Sequence, residues 1–191
     1  MVDIVINAED MRKLARIPDR IKDGAIKALV PAINRALDGG RTVIRREIRK
    51  EYEIKQKDIP MTVHRASHKG VAYRGDIEIK DEMLDLSKFK VTPRGVQHSK
   101  RRRVIRVAVR KGALKALPGA FNVQASSGYL GPFVRKGHTR LPIKKLLAIG
   151  APIMASQPSV GAEANKVMGD TFAKRLDHEI ARVMTAAGGH A

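Results

Sequence analysis

The chain has 191 residues, 43% of them apolar, which is enough for one domain with its own core. With four Phe, three Tyr and no Trp, that core must be aliphatic and thin. The absence of Cys excludes disulfides, thiolate chemistry and cysteine metal ligands. The 38 Lys/Arg against 19 Asp/Glu leave a net charge of +19, which acts on an anionic partner, since self-repulsion returns nothing to a fold.

The chain reads as a single domain over residues 1–191. It has an N-terminal helical part (1–55), a β-rich basic core (60–145) and a C-terminal helix (159–187). Val2 to Ile6 reads as a short strand, and Asn7 as the N-cap of a helix opening at Ala8. The early acids Asp3, Glu9 and Asp10 do not read as a signal peptide. From Asp19 to about Tyr52 the pattern is helical. Ile21, Ala25, Leu29, Ile33, Leu37, Gly40, Ile44 and Ile48 form one apolar stripe. Arg35, Arg41, Arg45, Arg46, Glu47, Arg49 and Lys50 form the opposite, charged face. Pro31 is expected to kink or restart this helix, and Gly39-Gly40 is a weak point or a notch for close packing. The stripe serves either a sheet of the same chain or a neighbouring subunit.

After Asp58-Ile-Pro60, residues Val71 to Lys80 alternate as a strand. Val71, Tyr73, Ile77 and Ile79 lie on one side, with Arg74, Asp76, Glu78 and Lys80 on the other. Met61 to Arg65 is its expected partner, across a turn at Ser67 to Gly70. Leu84 to Pro93 is a connector anchored by Leu86 and Phe89. Next comes the densest charge of the chain, Ser99 to Lys111. It is expected to begin as a basic loop and continue as a strand. Ile105, Val107 and Val109 should point into the core, with Arg102, Val104, Arg106, Ala108 and Arg110 outward. Further strands are expected from Phe121 and from Gly128 to Arg135, joined by a turn at Ser126-Ser127-Gly128. Pro132 marks the second of these as an edge or a bulge. Lys136 to Arg140 is a basic turn. The last helix runs from Gly161 to Ala187 on a stripe of Ala164, Met168, Phe172, Leu176, Ile180 and Met184, with Ser159 as cap and Gly188-Gly189 as stop. The longest apolar run, Leu146 to Ala155, is broken by Gly150 and Pro152 and falls short of the roughly 20 residues of a membrane span. The expected class is α+β: an antiparallel sheet, the central meander, packed by a long N-terminal helix and a C-terminal helix.

The charge is not evenly spread. Between Leu86 and Gly161 there are sixteen Lys/Arg and no acid, whereas the remainder carries 22 basic against 19 acidic residues. A charge run alone is usually a solvated face. The acid-free context points instead to a polyanion-contacting surface of Lys100, Arg101, Arg102, Arg103, Arg106, Arg110, Lys111, Arg135, Lys136 and Arg140. No aromatic residues are interleaved for base stacking, and no zinc finger, basic zipper or helix-turn-helix occurs. Contact is therefore expected with phosphates, without sequence readout. His64 and His68 lie in strand or turn context without a nearby carboxylate, so no metal site is assigned. No phosphate-binding loop or nucleophile elbow occurs. The chain reads as non-enzymatic and without a cofactor. Asp76, Glu78, Asp81, Glu82 and Asp85 form an acidic patch that is either a solvated face or a docking surface for the basic face of a neighbouring copy. Leu29, Ile33, Phe121 and Phe172 are the candidate subunit contacts.

Three blocks carry a family resemblance. The first is Ala32-Ile-Asn-Arg35 with Arg45-Arg-Glu-Ile48 and Tyr52. The second is Leu86-Ser-Lys-Phe89 with the basic run and Pro118-Gly-Ala-Phe121. The third is Phe133-Val-Arg-Lys-Gly-His-Thr-Arg-Leu-Pro-Ile143 with Gly150-Ala-Pro-Ile-Met154. In these blocks and their order the chain resembles the phage and prophage minor tail protein Z family, tail completion proteins of long-tailed phages. The resemblance implies a structural protein of the virion tail, assembled in the host cytoplasm and placed at the head-proximal end of the tail tube. There it would act with the tail terminator and with the tape measure or tube protein, and help position the packaged DNA end. Two long amphipathic helices on a thin core point to a homo-oligomer. Matched to a tail's symmetry, that becomes a ring, hexamer favoured and trimer possible, with no membrane involved. The alternatives are a nucleoid- or ribosome-associated basic binder and, last, a nuclease.

Overall fold

The computed structural model describes residues 8–18, 21, 23–67, 74–80, 82–98 and 103–188. The expected strand at Val2–Ile6, the Asn7 cap, Val71, Tyr73, His68, Asp81 and Gly189 lie outside them. The chain divides into two compact units. One comprises the described residues of Met1–Arg45, Met61–Ile79 and Gln157–Ala191, the other Arg46–Pro60 and Lys80–Ser156.

The first unit is built on helices. α1 spans Ala8–Leu14, α4 Pro158–Ala186 and α2 Gly24–Glu51, whose residues from Arg46 on belong to the second unit. Within this unit, Leu29, Ile33 and Leu37 of α2 pack with Met168, Phe172 and Leu176 of α4 in one buried cluster. Each such side chain contributes about 1.5–3 kcal/mol by leaving water. The expected stripe of α2 is buried at Leu29, Ile33, Leu37, Gly40, Ile44 and Ile48, while Ala25 is exposed. Helix α2 runs through Pro31 without a break, because a single lost backbone bond is outweighed by burial on both sides of it. Helix α4 starts earlier than expected, with Gln157 as cap and Pro158 in the first turn. A proline is tolerated there because the first N–H groups have no helical partner, and Ser159 is therefore inside the helix rather than capping it. Gly188, at φ +77°, takes the left-handed turn after the helix.

Lys13 of α1 reaches Asp177 of α4 at 3.0 Å. The expected pair of strands forms: β1 (Met61–His64) runs antiparallel to β2 (Asp76–Ile79), with Val63 opposite Ile77. Asn34 fixes the chain leaving β1, donating to the Ala66 carbonyl at 3.1 Å and accepting from the Ala66 N–H at 2.9 Å.

The second unit holds the other strands. These are β3 (Met83–Asp85), β4 (Lys90–Thr92), β5 (Ile105–Ala108), β6 (Leu114–Leu117), β7 (Phe121–Gln124), β8 (Leu130–Arg135), β9 (Ile143–Lys145) and β10 (Leu147–Gly150), followed by the short helix α3 (Ala151–Ala155). The α+β class stands, with every pairing antiparallel. The strands divide into small sheets ordered β1-β2, β10-β3, β4-β5-β6 and β7-β8-β9. Leu86 and Phe89 are buried anchors as expected, and the connector around them also contributes β3 and β4. The last turn of α2 is tied to the end of β5 by Glu53 N–H to Val109 O at 2.9 Å and Lys111 N–H to Glu51 O at 2.7 Å. Gly128, at φ +81°, closes the β7–β8 turn where expected.

Two expectations are corrected here. Pro132 lies in β8, the central strand of its sheet, not at an edge. Its carbonyl accepts the Leu146 N–H at 3.1 Å, and the Leu146 carbonyl, which an N–H at position 132 would have met, accepts the Leu86 N–H at 3.3 Å instead. The missing donor is thus supplied from a third segment. Glu47, expected on the charged face opposite the apolar stripe, is buried. It is held by Lys50 and by Arg46 Nε at 3.1 Å.

Gly40 is a packing notch. A Cβ there would collide with the Sδ of the fully buried Met168 and sit 3.3 Å from Ile77 Cδ1, whereas at Gly39 the nearest foreign atom is Thr171 Oγ1 at 3.6 Å. Gly40→Val is therefore expected to lower stability by about 1–3 kcal/mol through overpacking. Gly39→Ala should be neutral or stabilising by up to about 1 kcal/mol, since glycine is a poor helix former. Urea denaturation of both variants checks the contrast, and equal effects would place the notch elsewhere.

The hydrogen bond from Lys50, more than any other contact, holds the Glu47 carboxyl below its usual range. A depressed folded value means that the stabilisation is fully present above the ordinary glutamate pKa of about 4.3 and is lost as the pH falls through the lower folded value. Glu47→Gln should melt below the parent at neutral pH, with the gap closing under strong acid. A gap independent of pH would contradict the ion-pair account.

Candidate polyanion-contacting surface

The basic strand forms as β5, central between β4 and β6. Ile105 and Val107 are buried and Arg106 is exposed, following the alternation read from sequence. The register places Arg106 between Thr92 of β4 and Ala116 of β6. Ala108, assigned to the outward face, is buried, and Val109 is half-buried.

The other predicted cations have different surroundings. Lys100, Arg101 and Arg102 lie outside the described residues. Arg103 is exposed, and its main chain is clamped by Gln97, which accepts its N–H at 2.7 Å and donates to its carbonyl at 2.9 Å. Arg110 lies over the buried ring of Tyr52, 5.6 Å from its centroid. Lys111 is exposed beside it. Arg135 lies over the Phe121 ring at 5.0 Å and donates to the Arg140 carbonyl at 2.7 Å, so it braces the turn that Lys136 and Arg140 present to solvent. Arg106, Arg103, Lys111, Lys136 and Arg140 offer open charge, while Arg110 and Arg135 have aromatic faces beneath them.

Leu29, Ile33 and Phe172 are buried in the chain's own helix core, and Phe121 is half-buried under Arg135. The acids of the patch also differ. Asp85 pairs with Lys145 at 2.7 Å, and Glu78 lies 3.2 Å from His64 Nε2, which corrects the expectation that His64 has no carboxylate nearby. Hydrogen bonding to Asp85, ahead of every other influence, raises the Lys145 pKa. Lys145 also sits 4.0 Å above the Tyr129 ring.

One feature of the second unit was missed from sequence: an apolar groove of about 700 Å³, lined by Met83, Leu117, Leu147 and Ile153 with Arg110 and Lys115 among its walls. Met83, Leu147 and Ile153 are 64%, 42% and 57% exposed, unusual for large apolar side chains grouped together. The apolar run Leu146 to Ala155, which holds Leu147 and Ile153, is the groove's signal in the sequence. Among the described residues no helix is long and apolar enough to cross a membrane.

The second unit thus presents a strand with an exposed arginine and, separately, an apolar groove. No curated protein and no solved structure matches the chain. A model of the family described as Prophage minor tail protein Z (GPZ) matches residues 11–186. With nearly its whole length matched, the chain belongs to the prophage minor tail protein Z family, structural proteins of the phage tail.

Proposed function

We propose that this tail protein works at the head-proximal end of the tail, assembling with the tail terminator and helping to position the packaged DNA end. The observation that carries this reading is the charge: sixteen cations without one acid between Leu86 and Gly161, with Arg103 and Arg106 exposed. A one-signed basic surface can hold the phosphates of a DNA end without reading bases. The role requires no turnover, and the tape measure or tube protein is a further partner.

The unit of action in this reading is a homo-oligomeric ring, hexamer favoured and trimer possible. Its contact is the apolar groove, filled by a neighbouring copy. The groove walls carry Arg110 and Lys115, and the exposed acids Glu78 and Glu82 are what a neighbouring copy would bring to them.

Two phage variants test this. Met83→Glu with Ile153→Glu should melt like the parent, because both side chains are exposed, yet fail to enter tails. Arg101→Gln, Arg103→Gln and Arg106→Gln together should enter tails and allow heads to join, but lower genome delivery. Normal delivery by the arginine variant would remove the DNA-positioning role. A normal tail content of the groove variant would remove the groove from assembly.

A further inference from the structure

A second groove, on the same unit as the basic strand, carries charge that the sequence pattern did not bring together. It has a volume of about 650 Å³ and is lined by the end of α2, the segment after it, and the stretch from Lys88 to Arg94. Five cations reach it: Arg49, Lys55, Lys88, Lys90 and Arg94. None of their side chains pairs with an acid among the described residues, although Lys145 and Lys50 in the same unit do so. A single acid, Glu53, lines the groove. Its apolar lining residues Ile54, Phe89 and Val91 are buried, so little apolar surface is offered to a visitor. Strand β4 connects this groove with the basic strand, because Thr92 stands directly opposite Arg106.

We propose that this groove is a binding site for the phosphate backbone of duplex DNA. Five cations without an acid partner among the described residues exceed what one free phosphate would neutralise, whereas a backbone supplies successive anions along a line. A protein partner would normally bring an apolar centre to its contact, and here that centre is absent. Arginine takes two phosphate oxygens through its planar fork and lysine acts as a point charge. Binding is therefore independent of sequence and is driven by counterion release. Glu53 opposes it, so its charge limits the affinity. This inference rests on the reading that the chain meets the packaged genome, and it assigns that contact to residues outside the basic strand.

The test is fluorescence anisotropy of the full chain with a 20-base-pair duplex across a salt series. The groove variant is Lys88→Gln with Lys90→Gln and Arg94→Gln. The control, Lys27→Gln with Lys166→Gln and Lys174→Gln, removes equal charge from exposed positions of the other unit. The control should bind like wild type. The groove variant should lose on the order of 100-fold in affinity at low salt, and its slope of log affinity against log salt should flatten by roughly 0.9 per lost contact. Glu53→Gln should bind several-fold more tightly, a gain that no unfolding artefact produces. Equal loss in groove and control variants would reduce the effect to net charge and overturn the site. Loss confined to Arg101→Gln, Arg103→Gln and Arg106→Gln would overturn it too, while leaving DNA contact intact. A wild-type chain that ignores DNA, with a groove variant that cannot enter tails, would reassign the groove to an acidic protein. The tail role would survive that result.

Discussion

The structure depends on how a stretch with sixteen cations and no acid can fold at all. Like charges destabilise a compact state, and the chain answers in three ways. It borrows an acid from just outside the stretch, Asp85, to hold Lys145. It places cations over aromatic rings, with Arg110 on Tyr52, Arg135 on Phe121 and Lys145 on Tyr129. Such contacts contribute about 0.5–1 kcal/mol at exposed sites and more where water is excluded. The remaining charge it leaves open to solvent, as at Arg106. The scarce aromatics are thus spent on charge as much as on packing, and Tyr129 also meets Phe133 edge-on at 5.8 Å.

The helical unit solves a different problem. With few aromatics, its core relies on close approach of backbones and on flexible or branched aliphatics. Ala28, Ala32 and Ala36 are fully buried on α2, and Gly40 leaves room for the Met168 thioether. Methionine suits such a site because its unbranched chain fills irregular gaps. Asn34 enters with both ends of its amide paired to the Ala66 backbone. The first unit is thus held by close aliphatic packing, while the second carries the cations of the acid-free stretch and the apolar groove.

Long periodic elements were legible in the sequence. The stripe of α4 recurs every four residues from Ala164 to Met184, a run too long for an ordinary strand, so it marks a helix. The β1–β2 pair and the alternation of Ile105, Arg106 and Val107 were readable for the same reason at period two. Strands β3, β4 and β9 have three residues each, too few for a period to show. Glu47 belongs to the charged face of the sequence pattern, and only three-dimensional packing buries it. Pro132 was placed at an edge because sequence does not reveal that Leu86 would supply the replacement donor. The second basic groove was invisible for a simpler reason: Arg49 and Lys55 are far in sequence from Lys88, Lys90 and Arg94, and the fold brings them together. The family signal survived because it lay in blocks spread over most of the chain.

The central claim is that one-signed surfaces of this chain are arranged around the path of the genome in the tail. A cryo-electron microscopy map of intact tails, with the chain fitted by its long helices, tests it most directly. The account predicts a closed ring of several copies at the head-proximal end, six favoured, with the strand bearing Arg106 towards the channel. A single isolated copy, or a ring whose Arg106 face points away from the channel, would contradict it.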